Sequence, residues 1–203
     1  MWLPASRAPW LGSVAGVPMS HGNLSEDSYR RPVLRNIEDE ILRQTENAVE
    51  FFLLLDERAD PLYAKLGRRN VIGDRVLHAV ALRRSEMRPY VSKGYLFTHN
   101  HPSRSSFTPE DVIAMSFLGV REGNAFDTER RYRLLRVGSV WPEEGALLQE
   151  LAVLETEVMA FQAAALRSGR ITPAEAAVAH YHLVWTLFAQ RHVGEFVYER
   201  EAR

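Results

Sequence analysis

Between Phe97 and Asp111 the chain reads F-T-H-N-H-P-S-R-S-S-F-T-P-E-D, a stretch with the residue types and spacing to carry chemistry. His99 and His101 stand two residues apart, Asp111 follows ten residues later, and Thr108 lies three residues before it. On an extended segment residues i and i+2 project to one face, so both imidazoles can address a single ion. Pro102 ends the extended run, and the small polar residues after it form a loop. Thr108-Pro109-Glu110-Asp111 has the grammar of a helix start, with a hydroxyl at the N-cap, proline at the first helical position and acids in the first turn. A strand, loop and helix in that order fold Asp111 back toward the histidines. Two neutral imidazoles and one carboxylate make a catalytic Zn2+ set with a position left for water. Zinc lowers the pKa of a bound water toward about 7, so the residues alone point to metal-assisted hydrolysis.

The elements that must position these groups are legible on both sides. Ile37, Ile41 and Leu42 recur at helical spacing, predicting a helix from Asn36 to about Asn47. Glu50-Phe51-Phe52-Leu53-Leu54-Leu55-Asp56 reads as a buried strand, and a turn through Pro61 leads to a second strand, Leu62 to Leu66. An acid at the head of a buried strand calls for a reason. Asn70 to Glu86 reads as helix or strand around Val76, Leu77, Val80 and Ala81, with His78 incidental. Tyr95-Leu96-Phe97 is the strand that delivers His99, its apolar side chains anchoring the site in the core. After Asp111, Val112 to Leu118 form an amphipathic helix ending at Gly119. Arg121 to Arg131 reads as a charged loop, and Tyr132 to Val137 as a strand whose arginines are solvated.

H-N-H-P followed by a hydroxyl residue, two more residues and Asp resembles the signature of the JAMM (MPN+, JAB domain) metalloproteases. The H-N-H-P-S form is closest to bacterial RadC-like proteins and to the phage and toxin-associated branch. Thr108 stands where the common eukaryotic form has Ser, and the loop is one residue shorter. The resemblance covers roughly residues 37–138. It implies a JAB/MPN-type fold and a zinc-dependent peptidase or isopeptidase-like hydrolase in which His99, His101 and Asp111 bind the metal. It further implies a catalytic glutamate at the start of the first core strand, which matches Glu50. Glu46, four residues earlier, shares that face if the chain is already extended there. Thr108 would take the motif serine's part of stabilising the oxyanion. The substrate implied is a protein or peptide, ubiquitin-like proteins among the candidates. Two rival readings are a non-catalytic JAB-like binding module and a RadC-like DNA-associated protein.

Length and composition bound these readings. The 203 residues, 46 % hydrophobic, suffice for one good core. A formal charge of −1 gives no sign of a nucleic-acid surface. Cysteine is absent, so there is no disulfide framework and no thiolate chemistry, which fits a reducing cytoplasm. No apolar run approaches the roughly 18 residues that cross a membrane.

Residues 1–35, with Pro4, Pro9, Pro18, Pro32, Trp2 and Trp10, read as a flexible arm; residues 36–140 read as the metallohydrolase core. Residues 141–203 read as a helical hairpin, a candidate surface for a homodimer. Its first helix, Glu143 to Arg167, carries Leu147, Leu148, Leu151, Leu154, Val158 and Phe161 as a stripe. Thr172-Pro173-Ala174-Glu175 is a capping box that opens the second, to about His192. His180 and His182 form another H-x-H, but on a helix such residues point about 160° to 200° apart and do not share an ion. The expected fold is α+β, or a three-layer α/β/α arrangement, with a mixed curved sheet between the Asp111 helix and the helix before Glu50.

Overall fold

The computed structural model describes residues 27–66, 86–138 and 140–203. The proline-rich arm up to residue 26 and the segment 67–85, with His78 and its apolar neighbours, lie outside them. In chain order the described elements are α1 (Asp27–Thr45), β1 (Phe51–Leu55), β2 (Pro61–Leu66), a 3-10 turn (Arg88–Tyr90), β3 (Leu96–Asn100), α2 (Pro109–Leu118), β4 (Glu122–Phe126), β5 (Arg130–Arg136), α3 (Glu144–Arg167), α4 (Pro173–Arg191) and β6 (Phe196–Ala202).

The strands form one open mixed sheet in the order β2-β1-β3-β4-β5-β6. Every neighbouring pair is antiparallel except β3–β4, which are parallel and joined through α2. Alternation divides the sheet into two buried faces. Phe51, Leu53 and Leu55 pack with Leu34, Ile37 and Ile41 of α1. Phe52, Leu54 and Phe97 face the other way, toward Val112, Met115 and Leu118 of α2 and the buried residues of α3 and α4. The fold is mixed α/β, with helices on both faces and a C-terminal helical hairpin. Among the described residues no helix is long and apolar enough to cross a membrane.

Four local expectations are corrected. The first helix begins at Asp27, not Asn36, and runs through Pro32, so it takes in part of the expected arm. Arg121 to Arg131 is no loop: Glu122-Gly123-Asn124-Ala125-Phe126 is a strand buried along its whole length. Its β propensity is poor, but it is clamped between β3 and β5, and tertiary pairing overrides local preference. Gly123 leaves room for the end of the Met115 side chain, which a Cβ would approach to 2.3 Å and push aside. The strand arginines are not solvated either. Arg133 Nε lies 3.2 Å from Glu122 Oε1 and its Nη1 3.1 Å from Glu199 Oε2, while Arg131 Nε lies 2.9 Å from the buried Glu38. In α3 the buried stripe is Leu147, Leu151, Leu154 and Val158, continued by Gln162 and Ala165. Leu148 and Phe161 fall outside it, and Phe161 is 60 % exposed.

The hairpin shares the core of the sheet. Fully buried Trp185 of α4 donates its indole N–H to Phe107 O at 2.7 Å, pinning the loop that precedes Thr108. Tyr198 of β6, a strand the sequence did not announce, meets Ser106 Oγ at 2.8 Å and His182 Nδ1 at 3.0 Å. Trp185→Ala is expected to cost about 3–5 kcal/mol in urea unfolding, the range for emptying a large aromatic site. Trp185→Phe, which loses the hydrogen bond and leaves part of the indole volume empty, should cost less than Trp185→Ala.

Candidate metal centre

β1 and β3 are antiparallel with Phe52 opposite His99. Continuing that register by two residues brings Glu50, just ahead of β1, level with His101, just past β3. All four side chains lie on the α2 face of the sheet. The site thus sits beyond the carboxyl end of β3, at the mouth of the parallel β3–α2–β4 unit, where open α/β sheets place their ligand sites.

Local structure aims each group. His101 receives backbone support from its N–H to Phe126 O at 2.7 Å. Its Nδ1 lies 3.0 Å from both Ser105 O and Ser105 Oγ. A proton on Nδ1 donated to that carbonyl leaves Nε2 with its lone pair toward the centre. His99 is held by rings instead. It stacks on Phe52 at 5.1 Å and 13°, with Phe97 at 5.2 Å and Phe107 at 6.0 Å. Its buried Nδ1 has no hydrogen-bond partner among the described residues. Asp111 is the third residue of α2 and closes a capping box with Thr108. Its Oδ2 accepts from Thr108 N at 2.8 Å and from Thr108 Oγ1 at 2.9 Å. One carboxylate therefore starts the helix and faces the histidines.

The donor atoms converge. His99 Nε2 and His101 Nε2 are 2.6 Å apart, and Asp111 Oδ2 is 3.4 Å from each. Glu50 Oε1 is 3.5 Å from His101 Nε2. One ligand atom from each of Glu50, His99, His101 and Asp111 lies within 4.8 Å of the others, so the group could hold a metal ion. His99, His101 and Asp111 are buried, whereas the Glu50 side chain is 27 % exposed and stands at the rim. For zinc bonds of about 2.05 Å, neighbouring ligands about a tetrahedron lie about 3.3 Å apart. The two Asp111–imidazole separations match that edge, and the imidazole pair is tighter. Burial opposes charge on His101, but the hydrogen bond and charge of Asp111, with Glu50 behind, outweigh it and hold its pKa above the usual histidine value. Burial likewise pushes Asp111 upward, yet the two histidines hold its carboxyl well below the usual range.

Of the residues expected from sequence, His99, His101, Asp111 and Glu50 come together, and Thr108 lies against Asp111. The Thr108 hydroxyl donates to the carboxylate, so in this structure Thr108 orients a ligand. Glu46 is outside the cluster. It sits in a left-handed turn with φ 50°, followed by Asn47 at 49°, where the chain reverses out of α1. His180 and His182 go separate ways, to Gln162 and Tyr198.

Asn100, between the histidines, went unread as anything but a spacer. Its side chain points to the opposite face and is fully buried. Oδ1 accepts the Phe51 N–H at 2.8 Å, while Nδ2 reaches Val49 O and Asn47 Oδ1, each at 3.0 Å. One amide thus clamps the residues on both sides of Glu50. An amide at an inward strand position directly beside two candidate ligands was the available signal. Asn100→Ala should leave the Phe51 N–H and Val49 carbonyl unmatched and cost about 2–3 kcal/mol in denaturant unfolding, with metal content retained.

No family model, curated protein or solved structure matches this chain.

Proposed function

We propose that the chain is a zinc-dependent amide hydrolase of JAMM/JAB type, acting on a peptide or isopeptide bond. The observation that carries this reading is the buried convergence of two imidazole nitrogens and one capped carboxylate, with a second carboxylate 3.5 Å away at the rim. His99 and His101 would hold the ion through Nε2, and Asp111 through Oδ2. When bound, zinc supplies Lewis acidity, making a water nucleophilic near neutral pH and polarising the substrate carbonyl.

The remaining chemistry belongs to the chain. Glu50 takes a proton from the attacking water and returns it to the departing amine, the general acid–base part. Its position at the rim, 3.5 Å from His101 Nε2, lets it reach solvent-delivered water. Asn100 fixes the backbone that carries it. The Ser105 carbonyl holds His101 in one tautomer, and the Phe52 and Phe97 rings keep His99 from turning. Thr108 orients Asp111. The formal charge of −1 lends nothing to a nucleic-acid substrate.

The test combines metal analysis with exposure of a quenched-fluorescent peptide library to zinc-loaded wild type and Glu50→Gln. Cleavage by wild type alone supports the proposal. Zinc binding without cleavage of any peptide or isopeptide probe would leave the chain a metal-stabilised binding module.

A further inference from the structure

On the same face of the sheet as the metal set lies a shallow pocket, about 330 Å³ of empty space with its open mouth included. Its apolar walls are Phe52, Tyr63, Met87, Phe97 and Ala114, and Asp111 is part of its lining. We propose that this pocket seats an aliphatic side chain of the substrate next to the amide that is cut. The proposal rests on the hydrolase reading above and adds its side-chain specificity.

Two observations fix the occupant's position. Asp111 belongs both to the pocket and to the convergent ligand set. Phe52 stacks on His99 with 5.1 Å between ring centroids while also lining the pocket, so one ring separates the pocket from the imidazole. A substrate residue whose side chain enters here carries its main chain past the Asp111 edge. Two further observations fix its chemistry. The walls are hydrocarbon, so a charged side chain would lose its hydration there without a partner. The one cation on the lining, Lys65, lies 3.3 Å from Glu86 Oε2, which also accepts the Tyr63 hydroxyl at 3.0 Å. The rim charge is therefore matched within the protein, and Glu110 beside it disfavours an acidic side chain. A pocket open to solvent on one side suits one short branched aliphatic group resting against its apolar walls, of which leucine is the reference.

The test is calorimetric titration of the zinc-loaded full chain with hydroxamates of N-acetylglycine, N-acetylleucine and N-acetylaspartate, which share a chelating head and differ in side chain. The leucine compound should bind at least about tenfold tighter than the glycine compound, the range for hydrocarbon discrimination by a pocket. The aspartate compound should bind no tighter than glycine. Ala114→Phe, which fills the pocket, should bring leucine down to the glycine level with zinc content unchanged. Equal affinity of the leucine and glycine compounds for wild type would overturn the proposal, as would a leucine advantage undiminished in Ala114→Phe. If that variant does not fold, Met87→Ala enlarges the pocket instead, and the preference should move from leucine toward N-acetylphenylalanine hydroxamate; no movement counts against the proposal. Metal analysis of the same samples separates the two claims. Should wild type carry no zinc, the hydrolase reading falls, and the pocket is tested by titrating N-acetylleucinamide against the Met87 and Ala114 methyl signals. Saturable shifts of both sustain it, and unmoved signals overturn it.

Discussion

Protein purified without chelator is expected to carry about one zinc per chain, and His101→Ala to carry almost none. His101 offers one of three buried ligand atoms, and among the described residues no imidazole besides His99 and His101 joins the cluster. Removing an outer partner of a metal ligand typically costs 10–100-fold in affinity, so removing the ligand itself should exceed roughly 100-fold. His182→Ala is the matched control, since it breaks the second H-x-H at a residue bonded to Tyr198 and should leave the zinc in place. The metal should also show in stability. An ion held at 1,000 times its Kd adds about 4 kcal/mol, and for a chain of this size that corresponds to a melting temperature higher by on the order of 10 °C. Chelator should therefore lower the wild-type transition by that amount and leave His101→Ala unmoved. Wild-type protein that stays zinc-free after reconstitution would remove the hydrolase from consideration. The convergent side chains would then be a buried polar network with a structural task.

What the sequence disclosed, it disclosed where local rules and tertiary demands agree. The H-x-H spacing works because β3 is extended, and Thr108-Pro109-Glu110-Asp111 caps α2 as its residue types require. The site was legible because the capping box and the ligand set share Asp111. Glu50 was separable from Glu46 only once the turn was seen, since nothing in E-N-A-V-E shows two successive left-handed residues. β4 stayed hidden because Glu, Gly and Asn are poor strand residues, held there by two neighbouring strands and by Met115 packed over Gly123. Asn100 stayed hidden for a related reason. Its partners lie 49 to 53 residues away in sequence, and no local pattern records such a bond. Arg133 looked solvated because its partners, Glu122 and Glu199, arrive from β4 and β6, and Arg131 was read into a loop because its partner Glu38 arrives from α1.

Glu50→Gln should keep its zinc and its fold while losing turnover by about 10²–10⁴-fold, the usual contribution of a positioned acid–base group. The substitution is isosteric and the side chain is partly exposed, so the backbone clamp from Asn100 has no reason to change. A loss confined to kcat, with KM little altered, marks a group acting on the proton in the transition state. Glu46→Gln supplies the contrast. That glutamate is exposed in the turn and outside the cluster, so the variant should cleave at the wild-type rate. If the two variants behave alike, or if Glu46→Gln is the one that fails, the base has been misassigned and the turn between α1 and β1 must rearrange when substrate binds. A Glu50→Gln protein that loses zinc as well would instead make Glu50 a fourth ligand. That outcome would close the position needed for an attacking water and turn the same four side chains into a structural metal site, because a site without an open position binds but does not hydrolyse.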